Sequence, residues 1–130
     1  MMQRLACLGL ALSVLSLAPT GIALGQQLDL PVIEKTEGDL DTCALAEVHG
    51  LNPNGDGFLA VRSAPGTEYR ELDRVYNGNR VWVFNQVGDW FGIVYGVDEV
   101  DCSPINGNNP VRADGKQGWV HQNWVRIIAG

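Results

Sequence analysis

The chain has 130 residues, which is enough for one small domain and too few for two domains with separate cores. Its formal net charge is −6, and no basic run offsets the acidic side chains. This balance argues against nucleic acid and anionic lipid as ligands, and it would tolerate a cationic partner. No stretch approaches the roughly 20 apolar residues that a membrane-spanning helix needs.

Residues 1–25 have the layout of a secretory signal peptide. A short positive start containing Arg4 precedes an apolar run over residues 5–17, and small residues offer a cleavage site before Gln26. We therefore expect an exported chain, periplasmic or secreted. Its net charge would be −7 instead of −6, because Arg4 is the one charged residue that cleavage removes.

Cleavage also changes the cysteine count, because Cys7 lies within the signal peptide. Cys43 and Cys102 remain, and an even number of cysteines in an exported chain predicts a disulfide between them. A bridge closing so long a loop would stabilise the fold by roughly 4 kcal/mol on the chain-entropy model.

Residues 26–42, which we call the leader, are predicted to be an acidic, flexible segment between the cleavage site and the domain. The leader carries five carboxylates against one basic residue, Lys35, and it has no apolar periodicity. A second interpretation is an acidic arm that docks on a partner.

We place the domain at residues 43–130, where short β-strands are predicted. Residues 43–50 alternate in the manner of a half-buried strand. The turn formers at 52–57 also resemble the start of a calcium loop, but Ser63 stands where that loop requires a bidentate glutamate. We therefore predict a tight turn here and no metal site.

The stretch 59–69 runs from a strand into a turn. Pro65 has the φ of position i+1 and Gly66 accepts the positive φ of position i+2, which predicts a type II turn over residues 64–67. Arg62 follows the strand directly. Its guanidinium is expected to bond carbonyls of the loop and hold the turn in place.

Two more turns are predicted downstream. The Asn-Gly pair at 77–78 is the strongest hairpin signal in the chain, and it joins a short strand at 71–76 to an alternating strand at 80–84. The Gly-Asp pair at 88–89 returns the chain into a strand at 90–95.

An irregular loop is predicted over residues 96–117, pinned to the first strand by Cys102. Loops of this length in a compact domain are functional or disordered, and the disulfide argues against disorder. A Gly-Trp-Val sequence at 118–120 then leads through a polar turn into a last strand at 125–128.

These motifs resemble the bacterial SH3-like family, also called SH3b or SH3 type 3. Residues 59–69 match its opening pattern, Leu-x-Val-Arg-Ser-Gly-Pro-Gly-Thr-x-Tyr, except at Ala64, and residues 118–120 match its closing Gly-Trp-Val. The block 77–93 is similar to the family's Asn-Gly-Asp-x-Val-x-Val and Gly-x-Trp-x-x-Val, with Asn79 in place of aspartate. With the strand pattern, this resemblance predicts an all-β, SH3-like barrel of short antiparallel strands.

Aromatic residues are the candidates for ligand binding. Alternation directs Trp82 outward, and Tyr69 and Trp124 lie in turns. Exposed aromatic rings beside a groove bind peptides or sugars. The alternative is that the loop 96–117 covers the rings, which then form a second core; the sequence leaves both interpretations open.

The sequence Asp-Cys-Ser at 101–103 resembles the nucleophile motif of NlpC-type cysteine peptidases. Catalysis would require the Cys102 thiolate beside a histidine, with His121 or His49 as candidates. Pro104 stands where that family has a glycine, and the chain has no room for a separate catalytic domain. We therefore expect no enzymatic activity and no cofactor.

Three hypotheses follow. The SH3-like resemblance implies a non-enzymatic module that binds cell-wall peptide or glycan, or an envelope protein. The second is a structural or inhibitory envelope protein that uses the leader and the pinned loop as its contact surface. The third is a wall hydrolase built on Cys102.

Overall fold

A computed structural model describes residue 9, residues 11–16 and residues 27–130 of the chain. The predicted signal peptide lies mostly outside these residues, so export and cleavage before Gln26 stay predictions. Within the described ranges, no helix is long and apolar enough to cross a membrane.

Short strands account for the described domain, as the alternating pattern predicts. Along residues 27–130 the elements are β1 Ile33–Glu34, β2 Ala44–Val48, β3 Leu59–Arg62, β4 Glu71–Val75, β5 Arg80–Val87, β6 Trp90–Tyr95, β7 Asn109–Pro110, β8 Lys116–His121, a 3₁₀ turn Gln122–Trp124, and β9 Val125–Ala129.

Seven of these strands form one antiparallel sheet in the order β4-β3-β8-β6-β5-β2-β9, and β1 pairs separately with β7. The large sheet curls, since Val75 of β4 and Val125 of β9 contribute to the same core although their strands lie at opposite edges. Register shifts in three strand pairs supply bends for this curvature. The predicted all-β, SH3-like fold is confirmed, as a barrel that stays open between β4 and β9.

The turn at 77–78 forms, but the hairpin predicted from it is wrong. β4 pairs with β3, whereas β5 pairs with β2 and β6. The Asn77 side chain accepts a hydrogen bond from the Leu51 backbone N–H (3.0 Å) and donates one to the Leu51 carbonyl (2.8 Å). The Gly78 N–H donates to the Val48 carbonyl at 2.8 Å. These bonds tie the turn to the end of β2, so the chain rounds a corner of the barrel there.

Two apolar clusters lie on opposite faces of the curled sheet. The barrel core fills the inner face and includes Val48, Val61 and Ile93, each without exposed surface. The second cluster, which we call the outer core, lies between the sheet and the segments that cover it. Its buried members are Val32, Cys43, Phe84, Val94, Val111 and Trp119.

The leader packs against the barrel through Leu28 and Val32, which departs from the expected flexible segment. Val32 is completely buried, and the Trp119 indole N–H donates to the Leu30 carbonyl at 2.8 Å. Five carboxylates dominate the composition of the leader, yet its apolar residues fall where the sheet offers an uncovered face. Burial of these side chains and the pairing of β1 with β7 offset the entropy of ordering the segment.

Gly92 provides the space for this packing. A side chain at position 92 would collide with the Asn85 amide oxygen and with Val32. The same Asn85 oxygen accepts a hydrogen bond from the Ile33 backbone N–H at 3.2 Å. The sheet therefore contributes both a gap and a polar anchor to the leader.

The predicted disulfide between Cys43 and Cys102 is present, with the two Cα atoms 5.0 Å apart. It joins the residue before β2 to the loop between β6 and β8. The Thr42 N–H reinforces this link by donating to the Cys102 carbonyl at 2.8 Å. The loop 96–117 is thus pinned to the barrel as expected, and it carries β7, the partner strand of the leader.

Val32→Ala is expected to lower the free energy of unfolding by about 2 kcal/mol, because two buried methyl groups are lost from the outer core. Urea denaturation measures this change. Leu40→Ala, a matched control in the same segment, should have little effect because Leu40 is 68% exposed. Equal stability of the two variants would contradict the packing of the leader.

Replacing both bridged cysteines, as Cys43→Ser with Cys102→Ser, should lower the free energy of unfolding by about 4 kcal/mol on the chain-entropy model. Ser103→Ala is the control, because it changes a neighbouring exposed side chain and keeps the bridge. Thiol labelling of the native protein provides the second measurement. Neither cysteine should react before reduction, and labelling without reductant would contradict the bridge.

Candidate binding surfaces

The loop between β3 and β4 holds Tyr69 at the surface with 39% of its area exposed. The Arg62 guanidinium donates to the Tyr69 carbonyl at 3.0 Å, a contact that links the end of β3 to this loop. The hydrogen-bonded turn spans Gly66 to Tyr69, with 3.4 Å between the Tyr69 nitrogen and the Gly66 oxygen. The predicted type II turn over 64–67 is therefore wrong, and Gly66 has an extended φ of 159°.

The leader explains the displaced turn. The Ser63 carbonyl accepts hydrogen bonds from the backbone N–H groups of Asp29 (2.9 Å) and Leu30 (3.2 Å). The Ser63 hydroxyl donates to the Asp29 carboxylate at 2.5 Å, and Ser63 is completely buried. These contacts fix Ser63 to the leader, and the hydrogen-bonded turn follows them at Gly66 to Tyr69.

Trp124 lies in the 3₁₀ turn between β8 and β9 and is 40% exposed. Its carbonyl accepts a hydrogen bond from the His49 N–H at 3.0 Å. Its ring lies over Gly50, where a β-carbon would be 3.5 Å from the indole. The exposed ring is thus held at the end of β2.

Trp82 is covered. Its ring packs against the outer core together with Trp90 and Val97, and its indole nitrogen is buried without a hydrogen-bond partner. For this residue the structure supports the second-core interpretation and removes it from the exposed aromatic rings.

The structure does not bring the three candidate aromatic residues together. Among the described residues, the aromatic ring pair in contact is Trp90 with His121, with ring centroids 5.4 Å apart. Tyr69 belongs to the β3–β4 loop, Trp124 packs on Gly50, and Trp82 lies in the outer core. A ligand that binds these exposed aromatic residues therefore contacts either Tyr69 or Trp124, each of which belongs to a separate surface.

A charged cavity of about 420 Å³ lies beside β4, and Asp73 is one of the residues that line it. The Asp73 carboxylate accepts hydrogen bonds from the Tyr95 hydroxyl (3.0 Å) and the Lys116 ammonium (3.3 Å). Arg80 and Asp98 also line this cavity. It could therefore accommodate small polar groups of either charge.

Opposing effects act on the pKa of Asp73. Burial raises the pKa of this carboxyl, but hydrogen bonds from the Arg74 backbone, the Tyr95 hydroxyl and Lys116 together lower it below 3.8. Because the folded pKa lies below the unfolded value, these contacts stabilise the fold above pH 3.8. The contribution is lost as the pH falls through the folded pKa.

A second depression, which we call the acidic groove, has a volume of about 600 Å³. The leader forms one wall with three carboxylates and the exposed Leu40, and the sheet forms the other wall. No ion pair joins these carboxylates to a cation within the described residues. The carboxylates belong to Glu37, Asp39 and Asp41, and the sheet side includes Ala44, Val83, Phe84 and Gly130.

The residues of the hydrolase hypothesis are engaged elsewhere. Cys102 is bridged, and the Asp101 carboxylate accepts hydrogen bonds from the Ser103 hydroxyl (2.6 Å) and N–H (2.9 Å), which lower the Asp101 pKa. The His121 Nδ1 accepts from the Asn123 N–H at 3.2 Å. In this arrangement Cys102 has no thiolate to offer.

The turn predicted at 52–57 is confirmed. The Gly55 N–H donates to the Asn52 carbonyl at 3.0 Å, and the Asn52 side-chain oxygen accepts from the Asn54 N–H at 2.9 Å. Within the described part of the chain, no group of three or more His, Cys, Asp or Glu residues could hold a metal ion.

Sequence reasoning missed the Asp73 cavity. Asp73, Tyr95 and Lys116 come from β4, β6 and β8, and β3 and β8 lie between β4 and β6 in the sheet. No spacing of residues in the sequence predicts the contact of Asp73 with Tyr95 and Lys116. The acidic groove had a partial signal in the carboxylates of the leader, but its apolar wall depends on the packing of the leader.

Comparison with known proteins identifies one related family. The family model described as bacterial SH3 domain matches residues 57–126, more than half of the chain. No curated protein and no solved structure matches the chain.

Tyr95→Phe is expected to raise the Asp73 pKa towards 3.8, because the variant lacks the hydroxyl that donates to the carboxylate. It should also lower the free energy of unfolding at neutral pH by about 1 kcal/mol. Titration of the Asp73 carboxyl carbon by NMR measures the pKa. Tyr76→Phe is the control on a tyrosine that is 52% exposed. An unchanged Asp73 pKa in Tyr95→Phe would contradict this assignment.

Proposed function

The chain belongs to the bacterial SH3 domain family, and from this membership we propose that it is an exported, non-enzymatic module that binds cell-wall peptide or glycan. The observation that carries the proposal is the family match over residues 57–126. Bacterial SH3 domains commonly bind wall peptides or glycan, or mediate protein contacts in the envelope. Export rests on the predicted signal peptide.

Two surface aromatics support a ligand of this chemistry. Tyr69 and Trp124 are each about two-fifths exposed, and both are held by main-chain hydrogen bonds, through Arg62 and His49. These bonds fix the main chain that carries each ring, and an exposed aromatic ring offers an apolar face to a sugar or peptide.

The alternative is a structural or inhibitory envelope protein that acts by protein–protein contact. The specific observation in its favour is that the leader and the loop 96–117 are held against the barrel by β1–β7 pairing and by the disulfide. A preformed surface binds a partner without the cost of ordering a flexible arm.

The hydrolase hypothesis is the weakest of the three. A nucleophilic cysteine must supply a thiolate close to a base, and Cys102 is bonded to Cys43. We propose on this ground that the module has no enzymatic activity and needs no cofactor.

Co-sedimentation with purified peptidoglycan tests the proposal. The protein is expected to pellet with the wall polymer, and Tyr69→Ala or Trp124→Ala should weaken binding by about tenfold, equivalent to 1.4 kcal/mol. Tyr76→Ala is the matched control, because Tyr76 is an exposed aromatic with 52% of its area accessible.

A wild-type protein that stays in the supernatant would refute wall binding. In that case, pull-down from envelope extract with the Leu40→Ala and Val32→Ala variants tests the protein-contact alternative. A partner that requires the packed leader should be lost with Val32→Ala.

A further inference from the structure

The two edges of the large sheet differ in how they meet solvent. β4 forms one edge, and its side chains include Glu71, Asp73 and Arg74. Arg74 pairs with Glu71, and Asp73 pairs with Lys116 at 3.3 Å. Charged side chains of this kind discourage a further strand from adding to an edge.

β9 forms the other edge and does not carry such a series of charged side chains. Its sequence is Val-Arg-Ile-Ile-Ala, and Ile127 and Ile128 are 48% and 47% exposed. Its one charged side chain, Arg126, is drawn back to Glu47 on β2 at 3.3 Å. An apolar edge strand with unpaired backbone groups is a template for another strand.

The free edge of β9 is continuous with the acidic groove. Ile127 lies opposite Ala46, and Ala44 is on the same face of β2 because side chains alternate along a strand. Ala44 lines the groove together with Gly130, the residue after β9. A strand added along β9 would therefore pass from the exposed isoleucines to the three carboxylates of the leader.

The negative charge of the chain and of the groove indicates which kind of partner this surface binds. The chain has a formal charge of −6, and the carboxylates of the groove have no cation partner among the described residues. A second copy of the chain would bring like charges together. A basic segment would meet complementary charge at one end and apolar surface at the other.

We propose that the edge of β9 and the adjoining acidic groove form a docking surface for an extended, basic peptide segment of a partner protein. The segment adds to the sheet as a strand beside β9, an apolar side chain packs on Ile127, and lysine or arginine side chains reach the groove. This surface includes neither Tyr69 nor Trp124, the two residues proposed for wall binding.

The probe is a blocked heptapeptide with valines in one half and lysines in the other, titrated against the purified protein by fluorescence anisotropy. Two control peptides separate the contributions: one has glutamate in place of lysine, and the other is N-methylated at alternate backbone nitrogens. The lysine peptide is expected to bind at least about tenfold more tightly than either control, because both charge and strand pairing contribute.

Ile127→Lys should weaken binding of the lysine peptide by about tenfold. Val87→Lys is the matched control, since it adds the same charge at a β-branched residue that is 43% exposed and lies on β5. This control should bind within about twofold of the wild type. If Ile127→Lys impairs folding, amide exchange of the wild type replaces it, and residues 125–129 should become protected when the peptide binds.

Four results would overturn the proposal: no binding of the lysine peptide, equal binding of the N-methylated peptide, protection that excludes residues 125–129, or a dimer formed through β9 in the absence of peptide. The last would assign the edge to a second copy. None of these results depends on whether the protein sediments with peptidoglycan.

Discussion

The hydrogen bond from the Trp119 indole to the Leu30 carbonyl joins the barrel to its covering layer. In β8, the backbone of Trp119 pairs with Arg62 on one side and with Gly92 on the other, while its ring sits fully buried in the outer core. Without the leader, the indole N–H would be buried and unpaired, or the ring would face water. An unpaired buried donor costs about 1–3 kcal/mol, a large part of the stability of a small domain.

This contact also joins a residue inside the region matched by the family model to a residue outside it. The region matched by the family model begins at residue 57, so the leader and β2 lie before it. The acidic groove combines leader residues, the start of β2 and Gly130, which lie outside the match, with Val83 and Phe84, which lie inside it. The family match therefore covers most of the barrel, whereas the three carboxylates of the groove lie outside the matched region.

Much of the fold could be predicted because its causes are local. Side-chain alternation indicates the strands, the motifs at 59–69 and 118–120 indicate the family, and the paired cysteines indicate the bridge. The prediction of a hairpin at 77–78 was wrong for a different reason. A turn signal describes four residues and carries no information on which strands pair, and here Asn77 binds Leu51 instead.

The remaining misses were contacts between distant segments. The leader was predicted to be flexible from its charged composition. The sequence does not show that the folded sheet offers a face on which Val32 is buried. The turn after Ser63 moved because Asp29 and Leu30 bind the Ser63 carbonyl. Asp73 gained its partners only when β4, β6 and β8 came together. Of the candidate aromatic residues, Tyr69 and Trp124 stayed exposed, while Trp82 was covered by segments whose position the sequence does not reveal.

The packing of the leader has a consequence for the order in which the chain folds. Leu30 and Trp119 are separated by 89 residues. The leader is synthesised early, and Leu30 can bind Trp119 only after β8, one of the last strands, has been synthesised. Closing so large a loop is a late and entropically costly step. Until it is complete, the outer face of the sheet exposes the indole of Trp119 and the notch above Gly92. The nascent chain thus carries an apolar surface that the finished molecule hides.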